Sequence, residues 1–228
     1  LMVWPPTGIT LQWFIDAAGN PALHRAVITS ILVGAGATAI ALVLGTMAAL
    51  AVQRFAFFGR DSVSFLLVLP IALPGVVTGI AMQTTFTTLD VNFGLMTIIV
   101  GHATFCVVIV YNNVIARLRR LPRSPEEASS DLGADTWTTF RRITLPGMRT
   151  ALLAGGLLAF ALSFDEVIVT NFTAGPGTQT IPLWILASIL RPNELPVVNV
   201  AAVVLILLSV IPVYLAQRIG GGTSGIGR

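Results

Sequence analysis

Two adjacent carboxylates, Asp165 and Glu166, interrupt an apolar stretch that runs from Thr150 to about Phe172. A carboxylate near the hydrocarbon core of a membrane costs about 2.5–3.5 kcal/mol on insertion scales, so two in succession need a compensating interaction. The functional interpretation is a site or pathway for a cation. Two structural interpretations stay open: a helix end wetted at the external interface, or pairing with an arginine of another subunit. In a continuous helix from Thr150, the two carboxylates would lie beyond the midplane and point in different directions.

The other reactive residues form no catalytic or metal-binding pattern. The sequence has no glycine-rich phosphate-binding motif ending in lysine, and no nucleophile paired with a base. His102 has no carboxylate or second histidine at metal-ligand spacing. Cys106 is the single cysteine and lies in an apolar run, as a small buried residue would. We therefore expect the chain to bind no ATP, metal or other cofactor and to have no catalytic residue.

One long polar segment, residues 117–149, separates two apolar stretches. Ser124 is a suitable N-cap residue, and Pro125 suits the first helical position because it lacks an N–H that would have no partner there. Glu127 lies three residues after Ser124 and would complete a capping box. The pattern predicts a short helix that begins here.

The end of that helix and the start of a second one are also encoded. Gly133 can adopt the left-handed conformation that ends a helix. Asp135 can cap a second helix, which Pro146 is expected to interrupt before the next apolar stretch begins. The segment exceeds 30 residues, whereas helix–helix connections are usually about 2–8 residues long. Its length favours a function beyond connecting two helices.

The same segment contains Glu127-Ala128-Ser129, then three residues, Gly133, nine residues, and Ile143-Thr144-Leu145-Pro146. This spacing resembles the EAA loop of the permease subunits of bacterial ABC importers, with Ser129 where the family usually has a second alanine. In that family the loop forms a short helix that docks into a groove on the ATP-hydrolysing subunit. The resemblance implies an all-α membrane protein, a polytopic helical bundle of the type I ABC importer permease kind. It also implies the ATPase-coupling residues Glu126, Glu127, Ala128, Ser129, Leu132, Gly133, Ala134, Ile143, Leu145 and Pro146.

Three further segments, 163–169, 172–176 and 180–183, resemble the spermidine/putrescine branch of these permeases. They hold an acidic pair followed by valines, a Phe with Gly-Pro, and an Ile-Pro-Leu run. The resemblance implies a pathway for a polyamine that is lined by Asp165, Glu166, Asn171 and Phe172. Permeases for iron, thiamine and sulfate share much of this pattern, so ferric iron, thiamine or another organic cation stays open as the substrate.

The partners implied by the resemblance are a second homologous permease, two ATP-binding subunits that hold ATP and Mg, and an external substrate-binding protein. A membrane enzyme is the first rival, but the acidic residues of the polar segment have no histidine partner. An ATP-independent secondary transporter is the second rival, and it would not need the docking loop. No nucleic-acid partner is expected.

Composition independently indicates a membrane protein. The 228 residues are 55% hydrophobic and only 10% charged, with a mean hydropathy of +0.87. A soluble domain could not solvate such a surface. Five stretches are long and apolar enough to cross a bilayer: 26–53, 62–89, 91–116, 150–172 and 195–217. A shorter run at 181–190 predicts a re-entrant or interfacial helix, with Trp184 at the interface.

The arginines predict how these spans are oriented. Of 13 basic residues, all arginine, 11 lie in segments 53–61, 117–149 and 218–228, and two lie on the other side. The positive-inside rule therefore places the polar segment and the C-terminus in the cytoplasm of a bacterial cell, with the protein in its inner membrane. Five spans then put Leu1 outside, so we expect a sixth span upstream of it.

The predicted organisation has three parts: an external loop with an interfacial helix at 1–25, a transmembrane permease domain at 26–217, and a flexible cytoplasmic tail at 218–228. The second predicted span contains Pro70, Pro74 and Gly75, which can kink it and expose carbonyl groups to a cavity. A gate is the functional interpretation of that kink, and a packing kink alone is the alternative.

Overall fold

The computed structural model describes residues 10–189, 191 and 194–221, and the regular elements among them are helices. Their bounds are α1 Gln12–Ala18, α2 Pro21–Arg54, α3 Arg60–Ala72, α4 Gly75–Thr88, α5 Leu95–Leu118, α6 Ser124–Asp131, α7 Thr136–Thr139, a π-helical turn Phe140–Thr144, α8 Leu145–Phe164, α9 Ile168–Thr173, α10 Ile181–Ser188 and α11 Leu195–Gly221. The predicted all-α class is confirmed.

Four helical stretches of the described residues are long and apolar enough to cross a membrane. They are Pro21–Arg54, Leu95–Leu118, Thr136–Phe164 and Leu195–Ile219. Each corresponds to one of the five predicted spans. The prediction of a polytopic helical membrane protein is therefore confirmed. The remaining predicted span, 62–89, has a different structure.

The predicted span at 62–89 is two short helices instead of one continuous helix. α3 ends at Ala72, and Leu73 is extended, with φ −83° and ψ 140°. The following Pro74 explains this break, because a proline disfavours the helical conformation of the residue before it. Pro70 lies inside α3 without ending it. The predicted interruption at Pro74 and Gly75 is confirmed, and it is a complete break rather than a kink.

The predicted span at 150–172 is also divided. α8 ends at Phe164, residues 165–167 are not helical, and α9 begins at Ile168. The expectation of two carboxylates within one continuous helix was therefore wrong. They lie in the break itself, where a polar side chain can replace the lost backbone hydrogen bonds.

The two ends of the chain differ in part from the prediction. α1 lies within the predicted interfacial region 1–25, of which residues 1–9 are outside the described residues. At the other end α11 continues through Gly221, so residues 218–221 are helical and do not belong to a flexible tail. The remaining tail residues, 222–228, lie outside the described residues.

The chain divides into two compact units. The first comprises residues up to Gly36 together with Pro74–His102 and Ala161–Ile211. Here α4 packs on α9, and the missing side chain of Gly79 makes room for the ring of Phe172.

Two hydrogen-bond links complete the core of the first unit. The fully buried His102 imidazole bridges the hydroxyls of Ser163 and Thr170, each at 2.8 Å. The backbone N–H of Ile181 donates to Ser30 Oγ at 2.8 Å, which ties α10 to α2. Trp184 of α10 is buried in protein. Its position at the membrane interface stays a prediction.

The second unit comprises Ala37–Leu73, Ala103–Phe160 and the residues from Pro212 onward. Its central contact is α2 against α5 at Gly45. A Cβ added at Gly45 would lie 2.8 Å from the carbonyl oxygen of Val107 and 3.0 Å from Val110 Cβ. Small residues allow this close approach of two membrane helices.

Substituting Gly45 tests that contact. Because a methyl group has no room beside the α5 backbone, Gly45→Ala is expected to lower the free energy of unfolding by about 1–3 kcal/mol. Gly94→Ala is the matched control, since a Cβ there meets nothing within 4 Å. Thermal unfolding of the two variants in detergent, followed by tryptophan fluorescence, makes the comparison. Equal stability of both variants would contradict the packing described here.

Candidate functional site

The polar segment 117–149 forms a short helix that begins one residue earlier than predicted. The carbonyl of Arg123 accepts hydrogen bonds from the N–H groups of Glu126 and Glu127, so Arg123 is the N-cap residue. Its side chain makes no capping hydrogen bond, and Ser124 is already within α6. The predicted Ser124 cap and its capping box with Glu127 were therefore wrong. The acidic pair in the first turn still favours the positive end of the helix dipole.

The end of α6 follows the prediction. Gly133 has a φ of +81°, in the left-handed region. The N–H groups of Gly133 and Ala134 donate to the carbonyls of Ser130 and Ser129 at 2.9 and 3.1 Å, which satisfies the last turn of the helix. The chain then reverses, and α7 can lie beside α6.

Asp135 caps α7, also as predicted. Its carboxylate Oδ1 accepts a hydrogen bond from the backbone N–H of Thr138 at 3.0 Å. Hydrogen bonds from the side chain and then from the backbone of Thr138 lower the pKa of Asp135. The carboxylate is fully exposed, so this cap orients a surface turn.

Pro146 does not interrupt the second helix, contrary to the prediction. Helical structure is continuous from Thr136 to Phe164 and contains the π-helical turn Phe140–Thr144. A proline ring clashes with the carbonyl four residues earlier, which here belongs to Arg142 in that turn. Widening the helix to the π form is one way to accommodate such a clash.

A charged junction joins α6 to α2 and to the π-turn. Arg54 Nη2 donates to Glu126 Oε1 at 2.7 Å, and the hydroxyl of Thr144 donates to the same oxygen at 2.8 Å. The side chains of Arg54 and Glu126 are only 15% and 22% exposed. One carboxylate oxygen therefore holds together three elements that are far apart in the sequence.

Two further hydrogen bonds reinforce this arrangement. The Ser129 and Thr139 hydroxyls are 2.9 Å apart and connect α6 to α7. Arg123 Nη2 donates to the carbonyl of Gln53 at 3.3 Å. Ser129 thus has a partner that the alanine usual in the EAA pattern would lack.

A groove of about 700 Å³ opens beside the junction. It is lined by the end of α2, by α6, by α7 and by the π-turn, and its aromatic residues are Phe55, Trp137 and Phe140. At the tip of the segment, Leu132 is 88% exposed and Trp137 is 65% exposed. Exposed apolar side chains on a polar segment are candidates for contact with a partner.

The predicted coupling residues fall into two groups of different exposure. The exposed ones are Glu127, Ala128, Leu132, Gly133 and Pro146. The half-buried ones are Glu126, Ser129, Ala134, Ile143 and Leu145. Arg54, Thr139 and Thr144 were not among the predicted residues. Arg54 entered the prediction only as a topology signal, and the threonines lie at positions that the motif leaves variable.

The two intramembrane carboxylates have different surroundings. Glu166 Oε1 accepts hydrogen bonds from the N–H groups of Ile168 and Val169, at 2.7 and 2.9 Å, and so starts α9. Asp165 is exposed. The predicted divergence assumed a continuous helix, which is absent here, but the two carboxylates do differ: Glu166 accepts hydrogen bonds from the backbone, whereas Asp165 is exposed.

The other two predicted pathway residues also differ. Asn171 is exposed on α9, whereas Phe172 packs on α4 at Gly79. The structure therefore gathers the four residues around the short helix α9 and leaves two polar side chains accessible. The predicted gate residue Gly75 lies near this helix, because a Cβ there would be 3.6 Å from Ile168 Cγ2.

Residues 41–221 match the family described as binding-protein-dependent transport system inner membrane component. The putrescine transport system permease protein PotI of Escherichia coli K12 is 35% identical over 211 residues, which cover 90% of this chain and 74% of PotI. The spermidine/putrescine transport system permease protein PotC of Haemophilus influenzae is 31% identical over 93% of this chain and 82% of PotC.

Solved structures agree on the fold. A bacterial alginate ABC transporter chain, crystallised with an alginate-bound periplasmic protein, superimposes with a TM-score of 0.73 over 96% of this chain and 85% of its own length, at 13% identity. A chain of the MetNI methionine ABC transporter gives a TM-score of 0.67 over 94% of this chain and 99% of its own, at 15% identity. The predicted fold class is thus confirmed.

The turn at Gly133 generates a prediction of its own. A Cβ at positive φ strains the backbone by roughly 1–2 kcal/mol, although the space around Gly133 is open. Gly133→Ala should therefore speed hydrogen exchange of the Ala134 amide by about 5–30-fold. Gly133→Asn is the control, because asparagine tolerates the left-handed region better. Unchanged exchange in the alanine variant would show that the turn does not depend on this conformation.

Proposed function

The chain belongs to the family of binding-protein-dependent transport system inner membrane components, and from that membership we propose that it is the membrane-spanning subunit of an ATP-driven importer of polyamines. It is a multi-pass inner-membrane protein and an ABC importer permease. The observation that carries the polyamine proposal is the likeness, over nine-tenths of the chain, to permeases named for putrescine and spermidine. Ferric iron, thiamine or another organic cation is the alternative substrate.

The proposed assembly contains a second homologous permease, two ATP-binding subunits and an external substrate-binding protein. The permease itself carries out no hydrolysis, and ATP and Mg are bound by the partner ATPases. The distribution of the arginines supports a cytoplasmic position for the polar segment 117–149 and for the C-terminus. The segment would then face the compartment that contains ATP.

The exposed tip of the segment suits docking onto an ATPase. α6 is short and ends in the turn at Gly133. The apolar side chains of Leu132, directly after α6, and Trp137, in α7, are exposed. Glu127 and Ala128 are exposed on the same helix. In the proposed mechanism, ATP binding closes the ATPase dimer, moves the docked helices, and so alternates access to the pathway between the two permeases.

Docking through the tip is tested by replacing its two large apolar side chains with alanine. Leu132→Ala and Trp137→Ala should each weaken binding of the ATPase subunit by about 30-fold or more, the change typical of a central interface residue worth about 2 kcal/mol. The affinity is measured by titrating the purified ATPase onto the permease in nanodiscs. Leu89→Ala is the control, since Leu89 is also exposed but belongs to the other unit. If the control weakens binding as much as the tip variants, the tip is not the docking surface.

A polyamine needs a countercharge that can release it again. Asp165 supplies an exposed carboxylate at the break between α8 and α9, and Asn171 adds an exposed polar group. Glu166 contributes by holding the first turn of α9 in place. A single exposed charge attracts a cation weakly, which suits a pathway better than a storage site. The helix break at Pro74 lies next to α4, which packs on α9, and is our candidate for the gate.

The substrate proposal is tested by ATPase activity of the assembled complex in nanodiscs, with its binding protein, across putrescine, spermidine, thiamine and ferric iron. Polyamines should stimulate hydrolysis, and Asp165→Asn should reduce that stimulation about fivefold at subsaturating substrate, as expected for the loss of an ion pair worth about 1 kcal/mol. Glu166→Gln should have a smaller effect because its amide oxygen can still accept the backbone N–H groups.

Asp90→Asn is the matched control for Asp165→Asn. Asp90 is an exposed carboxylate in the same unit, and its φ of 53° is a conformation that asparagine tolerates. Stimulation by thiamine or iron but not by polyamines would refute the polyamine assignment. Failure of any ATPase to associate with the unaltered chain would refute the proposed function altogether.

A further inference from the structure

We infer that Arg54, Glu126 and Thr144 form a latch that transmits movement of the coupling helix α6 to the membrane helix α2 and to the start of α8. In this inference Arg54 and Glu126 are positioning residues, which act on transport through α6 and not by touching the substrate. The inference rests on the proposed function, since it assumes that α6 receives the movement of an ATPase.

The two adjacent glutamates of α6, Glu126 and Glu127, have different surroundings. Successive residues of a helix point about 100° apart. Glu127 is exposed, whereas Glu126 is turned toward Arg54 and Thr144. Only Glu127 is therefore available to a partner, and Glu126 is committed to contacts within the chain.

The connection between Glu126 and Arg54 is a strong one. Charge-assisted hydrogen bonds are stronger than neutral ones, and Glu126 Oε1 accepts one of them at 2.7 Å. Both side chains of the pair are mostly buried, so removing either partner leaves a largely desolvated charge without compensation. Displacing α6 away from α2 would incur the same penalty. Moving the two helices together avoids it.

The junction also contains buried polar atoms that make no hydrogen bond. Arg54 Nε and Gln53 Oε1 are buried, and neither has a hydrogen-bond partner within the part of the chain that the structure describes. Buried polar atoms without partners are rare, and each calls for an explanation. The latch requires a second arrangement of the junction, in which these atoms find partners while α6 stays attached.

The latch can be reached from the surface of the polar segment. The three latch residues line the groove of about 700 Å³ beside α6 and α7. The rim of that groove includes Trp137 and Glu127, which are exposed. A force applied to the rim by a docked subunit thus acts directly on the latch, with no intervening element.

The test compares single charge deletions with a charge exchange. Arg54→Gln and Glu126→Gln should each raise the number of ATP molecules hydrolysed per polyamine transported by about fivefold or more, the lower end of typical coupling between two sites. The exchange Arg54→Glu with Glu126→Arg should restore the ratio to within about twofold of the unaltered complex. Arg119→Gln is the control, because Arg119 is exposed and its side chain has no role in the junction.

The readout is the ratio of hydrolysis to transport in proteoliposomes, measured together with the amount of ATPase that copurifies. If the two residues only stabilised the structure, the variants would lower the yield of complex. The complex that does assemble would then have an unchanged ratio of ATP hydrolysis to transport. If the deletions fail to fold, Arg54→Lys keeps the charge without the planar guanidinium, and it should preserve most of the coupling.

Two results would overturn the latch. One is an unchanged ratio in both deletions, and the other is a charge exchange no better than the deletions, which would show that the two residues act separately. A complex that never assembles even with the unaltered chain would instead refute the proposed function, and the latch with it. The two failures are therefore distinguishable.

Discussion

The need to satisfy backbone hydrogen bonds inside a membrane is the constraint on which the rest of this structure depends. Where the helices are interrupted, the chain provides a local reason and a local remedy. Leu73 becomes extended because Pro74 follows it. At the second break the Glu166 carboxylate accepts hydrogen bonds from the N–H groups of Ile168 and Val169. These N–H groups have no carbonyl partner in α8, because α8 has already ended. Glu166 is thereby committed to the backbone, whereas its neighbour Asp165 remains exposed.

The need to satisfy backbone hydrogen bonds shapes both the region around α9 and the polar segment 117–149. Continuous helices transmit displacement along their length, whereas breaks allow a short segment to be placed independently. α9 is such a segment, and it is held by α4 and by the His102 bridge between Ser163 and Thr170. The polar segment also places its short helices through local hydrogen bonding and backbone conformation. The left-handed Gly133 and the capping Asp135 orient α6 and α7 relative to each other. Movement received by the polar segment can reach α2 and α8 because the junction at Glu126 joins them.

Much of this arrangement could be predicted from sequence, where the signal is local. The left-handed turn at Gly133 and the cap at Asp135 follow from residues within one turn, and the spacing of the motif identified the family. The helix start at Ser124 was mispredicted because the carbonyl of Arg123 begins the hydrogen-bond ladder first. The interruption at Pro146 was mispredicted because a π-turn absorbs the proline.

The junction itself could not be predicted from local patterns. Arg54 and Glu126 are 72 positions apart, so only the fold brings them together. The different surroundings of Asp165 and Glu166 likewise depend on where α8 ends, and the length of the apolar stretch favoured a continuous helix. A single sequence gives little information about polar contacts between residues that are far apart in the chain.

The central claim is that this chain forms a polyamine pathway driven by a separate ATPase. Uptake of radiolabelled putrescine into proteoliposomes that contain the whole complex tests it most directly, with the binding protein outside and ATP inside. The account predicts uptake against a gradient with ATP and none with a non-hydrolysable analogue. Equal uptake in both cases would contradict it and favour an ATP-independent transporter, and uptake of other cations in place of putrescine would contradict the substrate.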